Sequence, residues 1–275
     1  MLKEAVAGVL SEKEIADLYG AFDQIGNIII IRMPYSLVSK KKAIGKILLQ
    51  RIKIAKSVFY QSSPVEGDFR TRNLELIAGE DNTETEYKEY GCRFKVDVKK
   101  AFFSPRLSTE RNRIADLVSD GETIINMFGG IGMFSIIAAK KKKCTVYNID
   151  INPDAIELCN QNIMLNKLKG KVESVTGDAT KIIEGGLSGK GDRILMLLPE
   201  RSDEFLDSAI KASKKNATIH YYCHIHSDKK NSVANLAKEH FMKVIKVKSE
   251  ILGSKIVRPV GPRFYQAVVD AKISK

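Results

Sequence analysis

Apolar positions along this chain follow two different patterns. Up to about residue 105, short β-branched runs surround one long basic segment. Beyond it, apolar runs of strand length alternate with apolar stripes of helical period. In the first part, residues 11–19 predict a helix, with Ser11 as N-cap and Glu14 closing a capping box. AFDQIGNIIIIRM predicts a turn into a β-branched strand, residues 40–57 a helix, and SVFYQSS and CRFKVDV strands. Between those last two, the polar tract PVEGDFRTRNLELIAGEDNTETEYKEYG predicts irregular structure.

The second part opens with a helix, LSTERNRIADLVS, followed by the strand ETIINMF, a glycine turn and the helix MFSIIAAKKK. The strand CTVYNID, the helix PDAIELCNQNIMLNKL and the strands KVESVTG and DRILMLL come next. The helix SDEFLDSAIKAS, the strand ATIHYYCH and the helix KKNSVANLAKEHF precede two paired strands, VIKVKSEILG and RFYQAVVDAKI. Regular β/α alternation with an antiparallel ending predicts an α/β fold with a doubly wound open sheet. A smaller α+β domain precedes it, so the expected domains are 1–105 and 106–275.

Composition narrows the class. A length of 275 residues suits two domains with a sizeable core. No run approaches the roughly 18–20 apolar residues of a membrane span. The start, MLKEAVAGVLSEKEIADLYG, is too densely charged for a signal peptide. Cys92, Cys144, Cys159 and Cys223 are scattered without CxxC spacing, which argues against zinc and against a disulfide framework. No metal is expected, and a reducing, cytoplasmic setting follows. The 45 basic against 33 acidic residues give a net charge of +12, suited to a polyanion such as nucleic acid and equally to a soluble lysine-rich surface. SKKKAIGKILLQRIKIAKS carries many of these cations with no acid, and its apolar stripe is short and lacks Trp for a membrane-surface role.

The candidate chemistry begins at IINMFGGIGMFSI. Its Gly129, Gly130 and Gly132 have neither the G-x-G-x-x-G spacing of a dinucleotide fold nor a P-loop GK[ST]. The next strand ends at Asp150, about 20 residues on, where an acid can accept hydrogen bonds from ribose hydroxyls. GDAT places Asp178 at a further carboxyl end, near an adenine amino group, although both acids can also serve as helix caps. A nucleoside with no phosphate-gripping lysine points to S-adenosylmethionine (SAM) rather than ATP or NAD.

FFSPRLSTER, MFGGIGMFSI, DINPDAIELCNQNIMLN, GDA and LLPERSDEFLDSAI…IHYY, in this order and spacing, resemble the archaeal and eukaryotic tRNA guanine-37 N1-methyltransferase family. GDFRTRNLELIAGEDNTETEYKEYGCRFKVDV resembles that family's middle domain. The resemblance implies a Rossmann-like SAM methyltransferase sheet, a tRNA-contacting N-terminal domain, and methyl transfer to N1 of guanosine 37 beside the anticodon. That chemistry needs a base for the N1 proton, a cation for charge on O6, and an in-line methyl donor. The family likeness assigns the base to Glu110, expected to be partly buried so that its pKa is raised. It assigns the O6-stabilising cation to Arg70, with Arg72 two residues on as the competitor, one of them free to hold phosphate. Arg111 would reach the SAM carboxylate. Phe128, Gly129, Gly130, Gly132, Asp150, Ile151, Asp178, Ala179, Leu197 and Pro199 would form the rest of the SAM site. Arg106 would brace the loop or hold a phosphate, and Phe102 or Phe103 would shape the guanine pocket or belong to the core. The target nucleotide would leave its stack.

The chain departs from the family pattern in three ways. Leu197-Leu198-Pro199 stands where the family commonly reads Asn-Leu-Pro or Asn-Pro-Pro, so the asparagine's contact is expected from backbone instead. Asn126 stands where an acid often follows the first strand. Longer members carry a further N-terminal domain that inspects the outer corner of tRNA. Here local reading of the anticodon region is expected, by a basic surface whose binding falls steeply with salt. Two rival readings are an aminocarboxypropyl transferase of wybutosine synthesis and a catalytically weak tRNA-binding homologue.

Overall fold

A computed structural model describes residues 2–19, 22–63 and 67–274. Ala21 of the predicted turn and residues 64–66, which open the polar tract, lie outside the described residues. The chain divides into two compact units, Met1–Pro105 and Arg106–Lys275.

In the first unit, α1 (Leu2–Ala5) and α2 (Glu12–Asp17) precede β1 (Phe22–Ile25) and β2 (Ile28–Ile31). The α2 capping box is present, with the Ser11 hydroxyl accepting from the Glu14 N–H and the Glu14 carboxylate accepting from the Ser11 N–H. Replacing Ser11 with alanine removes one half of it and is expected to cost about 1 kcal/mol. A lower urea midpoint for unfolding of this unit checks it.

β1 and β2 form a hairpin rather than a turn into one strand. Gly26 makes that turn possible, since its φ is +54° and a Cβ there would lie 2.2 Å from Thr85 Oγ1. All four isoleucines of β2 are buried, because the strand lies inside a four-stranded sheet. α3 (Lys41–Arg51), entered through a 3₁₀ turn at Tyr35–Lys40, leads to β3 (Ser57–Gln61). α3 stops several residues before the predicted end of the basic helix at 57.

The polar tract is not irregular. It contains β4 (Leu74–Gly79), antiparallel to β3, and β5 (Glu84–Glu89), antiparallel to β6 (Cys92–Asp97). In β5 the alternation is real but polar, with Thr85 and Glu89 turned inward, so apolar periodicity alone misses it. Tyr90 and Gly91, both at positive φ, close the β5–β6 hairpin.

The second unit runs α4 (Ser108–Leu117), β7 (Thr123–Asn126), α5 (Met133–Lys141), β8 (Thr145–Asp150), α6 (Pro153–Met164) and β9 (Lys171–Thr176). A short α7 (Ala179–Ile182), which the sequence pattern does not reveal, continues into a π-helical turn through Leu187. There follow β10 (Gly191–Met196), α8 (Ser202–Ala212), β11 (Ser213–His226), α9 (Val233–Val244), β12 (Ser249–Gly261) and β13 (Phe264–Ile273). β12 starts later and runs further than predicted, because it pairs along the whole of β13.

These strands form one sheet of order β12-β13-β11-β10-β7-β8-β9, parallel from β11 to β9 and antiparallel at β13 and β12. This is a Rossmann-like doubly wound sheet. The strand order reverses between β7 and β10, and a ligand crevice opens at the carboxyl ends of the strands at such a point. α5 is buried from Met133 to Ala139, so the helix behind the glycine turn is locked into the core. No helix among the described residues is long and apolar enough to cross a membrane.

Candidate active site

The glycine turn lies directly after β7, at the switch point. Gly132, with φ +87°, is the N-cap of α5, and a Cβ there would lie 2.5 Å from Cys159 Sγ. Gly129 passes so close to β8 that a Cβ would fall 2.1 Å from Asn148 Oδ1. Burial pushes the Cys159 thiol up to about 12, which makes it a packing group beneath the turn and not a nucleophile.

The turn is held by side chains from both neighbouring strands. Asp150 Oδ2 accepts from the Gly130 N–H at 2.7 Å, and its Oδ1 accepts from the Asn152 N–H at 3.0 Å. Below it, Asn126 Nδ2 donates to Ser135 Oγ, whose hydroxyl donates to Asn148 Oδ1, and Asn148 Nδ2 donates to the Gly130 carbonyl. An acid at position 126 could not donate to Ser135, which gives this departure from the family pattern a structural use. Asn126 Oδ1 is buried with no hydrogen-bond partner among the described residues, an acceptor suited to a ligand donor beside the glycine turn.

The acids at the strand ends separate into different roles. Asn152, not Asp150, caps α6, whereas Asp178 does cap α7 by accepting from the Lys181 N–H. Ile151, next to Asp150, is 43% exposed, an apolar surface at the carboxyl edge of the sheet. Ala179 is buried behind Asp178. Phe128 packs edge-on against Phe205, with ring centroids 4.9 Å apart. Leu197 and Pro199 are half-buried in the turn after β10, where the Leu198 carbonyl accepts from Arg201 N–H and Ser202 Oγ. Together they bring a carboxylate, Asp150, and the apolar side chains of Ile151 and Phe128 to the strand ends after the glycine turn. A carboxylate beside apolar side chains suits the nucleoside of SAM, and Asn126 Oδ1 is a buried acceptor near the same turn.

Glu110, on the first turn of α4, is 3% exposed. Its carboxylate is clasped by a guanidinium one helical turn on, with Arg113 Nε donating to Oε2 at 2.9 Å and Arg113 Nη2 to Oε1 at 2.6 Å. The Tyr222 hydroxyl donates to Oε1 at 2.6 Å, and Lys255 Nζ lies 3.6 Å from Oε2. Arg113 also grips Asp270, with Nη1 2.5 Å from Oδ2. His220 Nδ1 is 2.6 Å from Asp270 Oδ1, and Arg193 Nη1 is 2.7 Å from His220 Nε2. Arg193 is then paired to Glu122 by two hydrogen bonds.

These neighbours fix the histidine. A carboxylate beside Nδ1 and a guanidinium beside Nε2 select the neutral ring with its proton on Nδ1. Burial, which lowers the His220 pKa against the pull of Asp270, agrees. At Asp270 burial acts in the opposite sense, but the hydrogen bonds from His220 and Arg113 outweigh it and hold the carboxyl well below its usual range. Burial and the adjacent Glu110 charge push the Tyr222 hydroxyl far up, so it acts only as a donor to that carboxylate.

The sequence reading named Glu110 but none of these partners. Arg113 carried a signal, the i,i+3 spacing of a helical ion pair. Tyr222, on β11, lies within the IHYY stretch of the family likeness, but nothing there pointed to Glu110, and Asp270, on β13, carried no signal. Arg111, also buried, lies with its guanidinium 6.0 Å from the Phe134 ring at the start of α5, whereas Arg106 is exposed.

Within the first unit, the two candidate arginines are held differently. Arg72 is buried, with Nη2 donating to the Phe103 carbonyl at 2.7 Å, Nη1 to Gln61 Oε1 at 3.3 Å, and Asp23 at 3.9 Å. It braces the fold. Arg70 is half-buried on a turn, at φ +53°, with its guanidinium 4.5 Å from the centroid of the Phe102 ring. Phe103 is buried against Tyr87, leaving Phe102 as the aromatic platform of the pair.

Comparison with known proteins places this geometry among relatives. The profile of the TRM5/TYW2 methyltransferase domain matches residues 85–249, and that of the TYW2 N-terminal domain matches residues 2–83. The chain is 40% identical over 262 residues to the tRNA (guanine(37)-N(1))-methyltransferase Trm5b of Pyrococcus abyssi, covering 92% of this chain and 75% of the relative. It is 35% identical to the tRNA 4-demethylwyosine(37)-methyltransferase Taw21 of Saccharolobus solfataricus, covering 93% and 95%. Among solved structures, the complex of aTrm5 with tRNALeu superposes with a TM-score of 0.86 at 35% identity, covering 99% of this chain and 78% of that one. TYW2 of M. jannaschii in complex with AdoMet superposes with a TM-score of 0.66 at 26% identity, covering 93% and 100%.

Proposed function

Because the chain belongs to the TRM5/TYW2 methyltransferase family, we propose that it transfers the methyl group of SAM to N1 of guanosine 37 in tRNA. It is a SAM-dependent tRNA methyltransferase, and its substrate is the anticodon loop. The observation that carries the chemistry is Glu110, a buried carboxylate on α4 held by three hydrogen bonds from Arg113 and Tyr222.

When bound at the glycine turn, SAM supplies the methyl carbon: the N1–C bond forms as the C–S bond breaks, its electron pair remaining on sulfur. The protein does the rest. Asp150 accepts the ribose hydroxyls, Ile151 covers the adenine, and Asp178, through the oxygen not used in its cap, meets the adenine amino group. Phe128, Gly129, Gly130, Gly132, Ala179, Leu197 and Pro199 shape the cradle, and Arg111 takes the carboxylate. Glu110 accepts the N1 proton, so guanine need not carry positive charge. Arg70 is the cation for O6, since Arg72 is committed to Phe103, Gln61 and Asp23. We assign residues 1–105 to tRNA contact and 106–275 to SAM binding and catalysis. The compartment we assign is the cytoplasm, where the buried thiols of Cys92, Cys144, Cys159 and Cys223 stay reduced.

Asp150→Ala is expected to weaken SAM binding about 10- to 100-fold, the range for losing hydrogen bonds to a charged acceptor. Titration calorimetry with SAM reads it directly. A second reading of the acceptor is favoured by one observation: the match to Taw21 spans almost the whole of that relative. In that reading the substrate is 4-demethylwyosine at position 37. Supplying SAM with tRNA carrying either guanosine or 4-demethylwyosine at position 37 separates the two. Methylation of the guanosine tRNA is expected; methylation of the tricyclic base alone, or of neither, would overturn the proposal.

A further inference from the structure

We propose that Arg113 and Tyr222 are positioning residues that fix the Glu110 carboxylate for proton transfer, with Asp270 and His220 anchoring Arg113 from the sheet. This rests on the reading of Glu110 as the base.

A carboxylate on a helix has free χ angles, and only one orientation can point a given lone pair at an incoming proton. Three donors fix that orientation here, two from the Arg113 fork and one from Tyr222. The fork is itself immobilised, because its other edge holds Asp270 with Nη1 and Nη2. Asp270 is fixed in turn by His220, its direct register partner on β11, and His220 by Arg193. His220 and Tyr222 are two residues apart on β11 and so face the same side of the sheet, one reaching Asp270 and the other Glu110.

Stability is a poor explanation for such a chain. Buried ion pairs largely cancel their attraction against lost hydration, and apolar residues of similar volume often serve the fold as well. Orientation of a group that must be held closely for proton transfer is the better one. The two-sided grip requires a planar guanidinium, since an ammonium cannot reach both carboxylates with parallel donors.

The test is a single-turnover assay of methyl transfer to guanosine-37 tRNA at saturating SAM. Arg113→Lys and Tyr222→Phe keep charge and shape respectively, and Asp270→Asn keeps an acceptor. Arg113→Lys is expected to slow transfer 10- to 100-fold, and Tyr222→Phe and Asp270→Asn severalfold. SAM and tRNA dissociation constants should stay within twofold of wild type. Because Arg113 acts through Glu110, adding Arg113→Lys to Glu110→Gln should cause no further loss.

Wild-type transfer rates in Arg113→Lys and Tyr222→Phe would overturn the proposal, as would loss of SAM binding in parallel with rate, or additive losses in the double variant. Failure of the underlying reading looks different: wild-type protein would leave guanosine 37 unmethylated, or Glu110→Gln would transfer at full rate.

Discussion

Glu110→Gln is expected to slow methyl transfer by about 10²- to 10⁴-fold, the usual worth of a positioned general base. The amide keeps the side chain's volume and one oxygen for the Tyr222 hydroxyl, but it cannot accept the N1 proton. SAM affinity should be preserved, because the glycine turn is held by hydrogen bonds of Asp150, Asn126 and Asn148. Rapid-quench transfer and SAM titration on the same preparation check both halves. If Glu110 is only an ion-pair partner of Arg113, the variant will unfold more readily yet transfer at close to the wild-type rate.

Arg70→Ala is expected to lower the transfer rate about 10²- to 10³-fold, the range for removing one donor from a developing oxyanion. Its guanidinium lies over the Phe102 ring, and its backbone adopts a left-handed conformation that a non-glycine residue rarely keeps without use. Arg72→Ala should behave differently. It leaves the Phe103 carbonyl without its guanidinium and is expected to destabilise the first unit by about 1–3 kcal/mol. Transfer rates set against urea midpoints for the two variants separate chemistry from folding. Equal rate losses that follow stability would return both arginines to a structural role.

What could be read from the sequence was what is local. Gly129, Gly130 and Gly132 stand next to each other and are followed one strand later by Asp150, so one β-α-β unit contains the whole signal. The Ser11–Glu14 capping box is equally local. Spacing to Glu110 favoured Arg70 over Arg72, but what each of these two loop residues packs against was not legible in it. Asp178 carried two roles that the sequence could not separate, and its cap on α7 uses only one of its oxygens. β5 is hidden because two of its inward positions, Thr85 and Glu89 on either side of Tyr87, are polar, so its alternation does not show as hydrophobicity. The Glu110 clasp was least legible, since Asp270 lies 157 residues from Arg113 and is brought to it only by the antiparallel closing strands.

SAM labelled in the methyl group, and separately in the aminocarboxypropyl chain, is incubated with the protein and unmodified guanosine-37 tRNA, and the digested nucleosides are resolved by mass spectrometry. The account predicts label from the methyl group alone, recovered as 1-methylguanosine from position 37. Label arriving from the aminocarboxypropyl chain, methyl on any other guanine atom, or no label in the tRNA would contradict it.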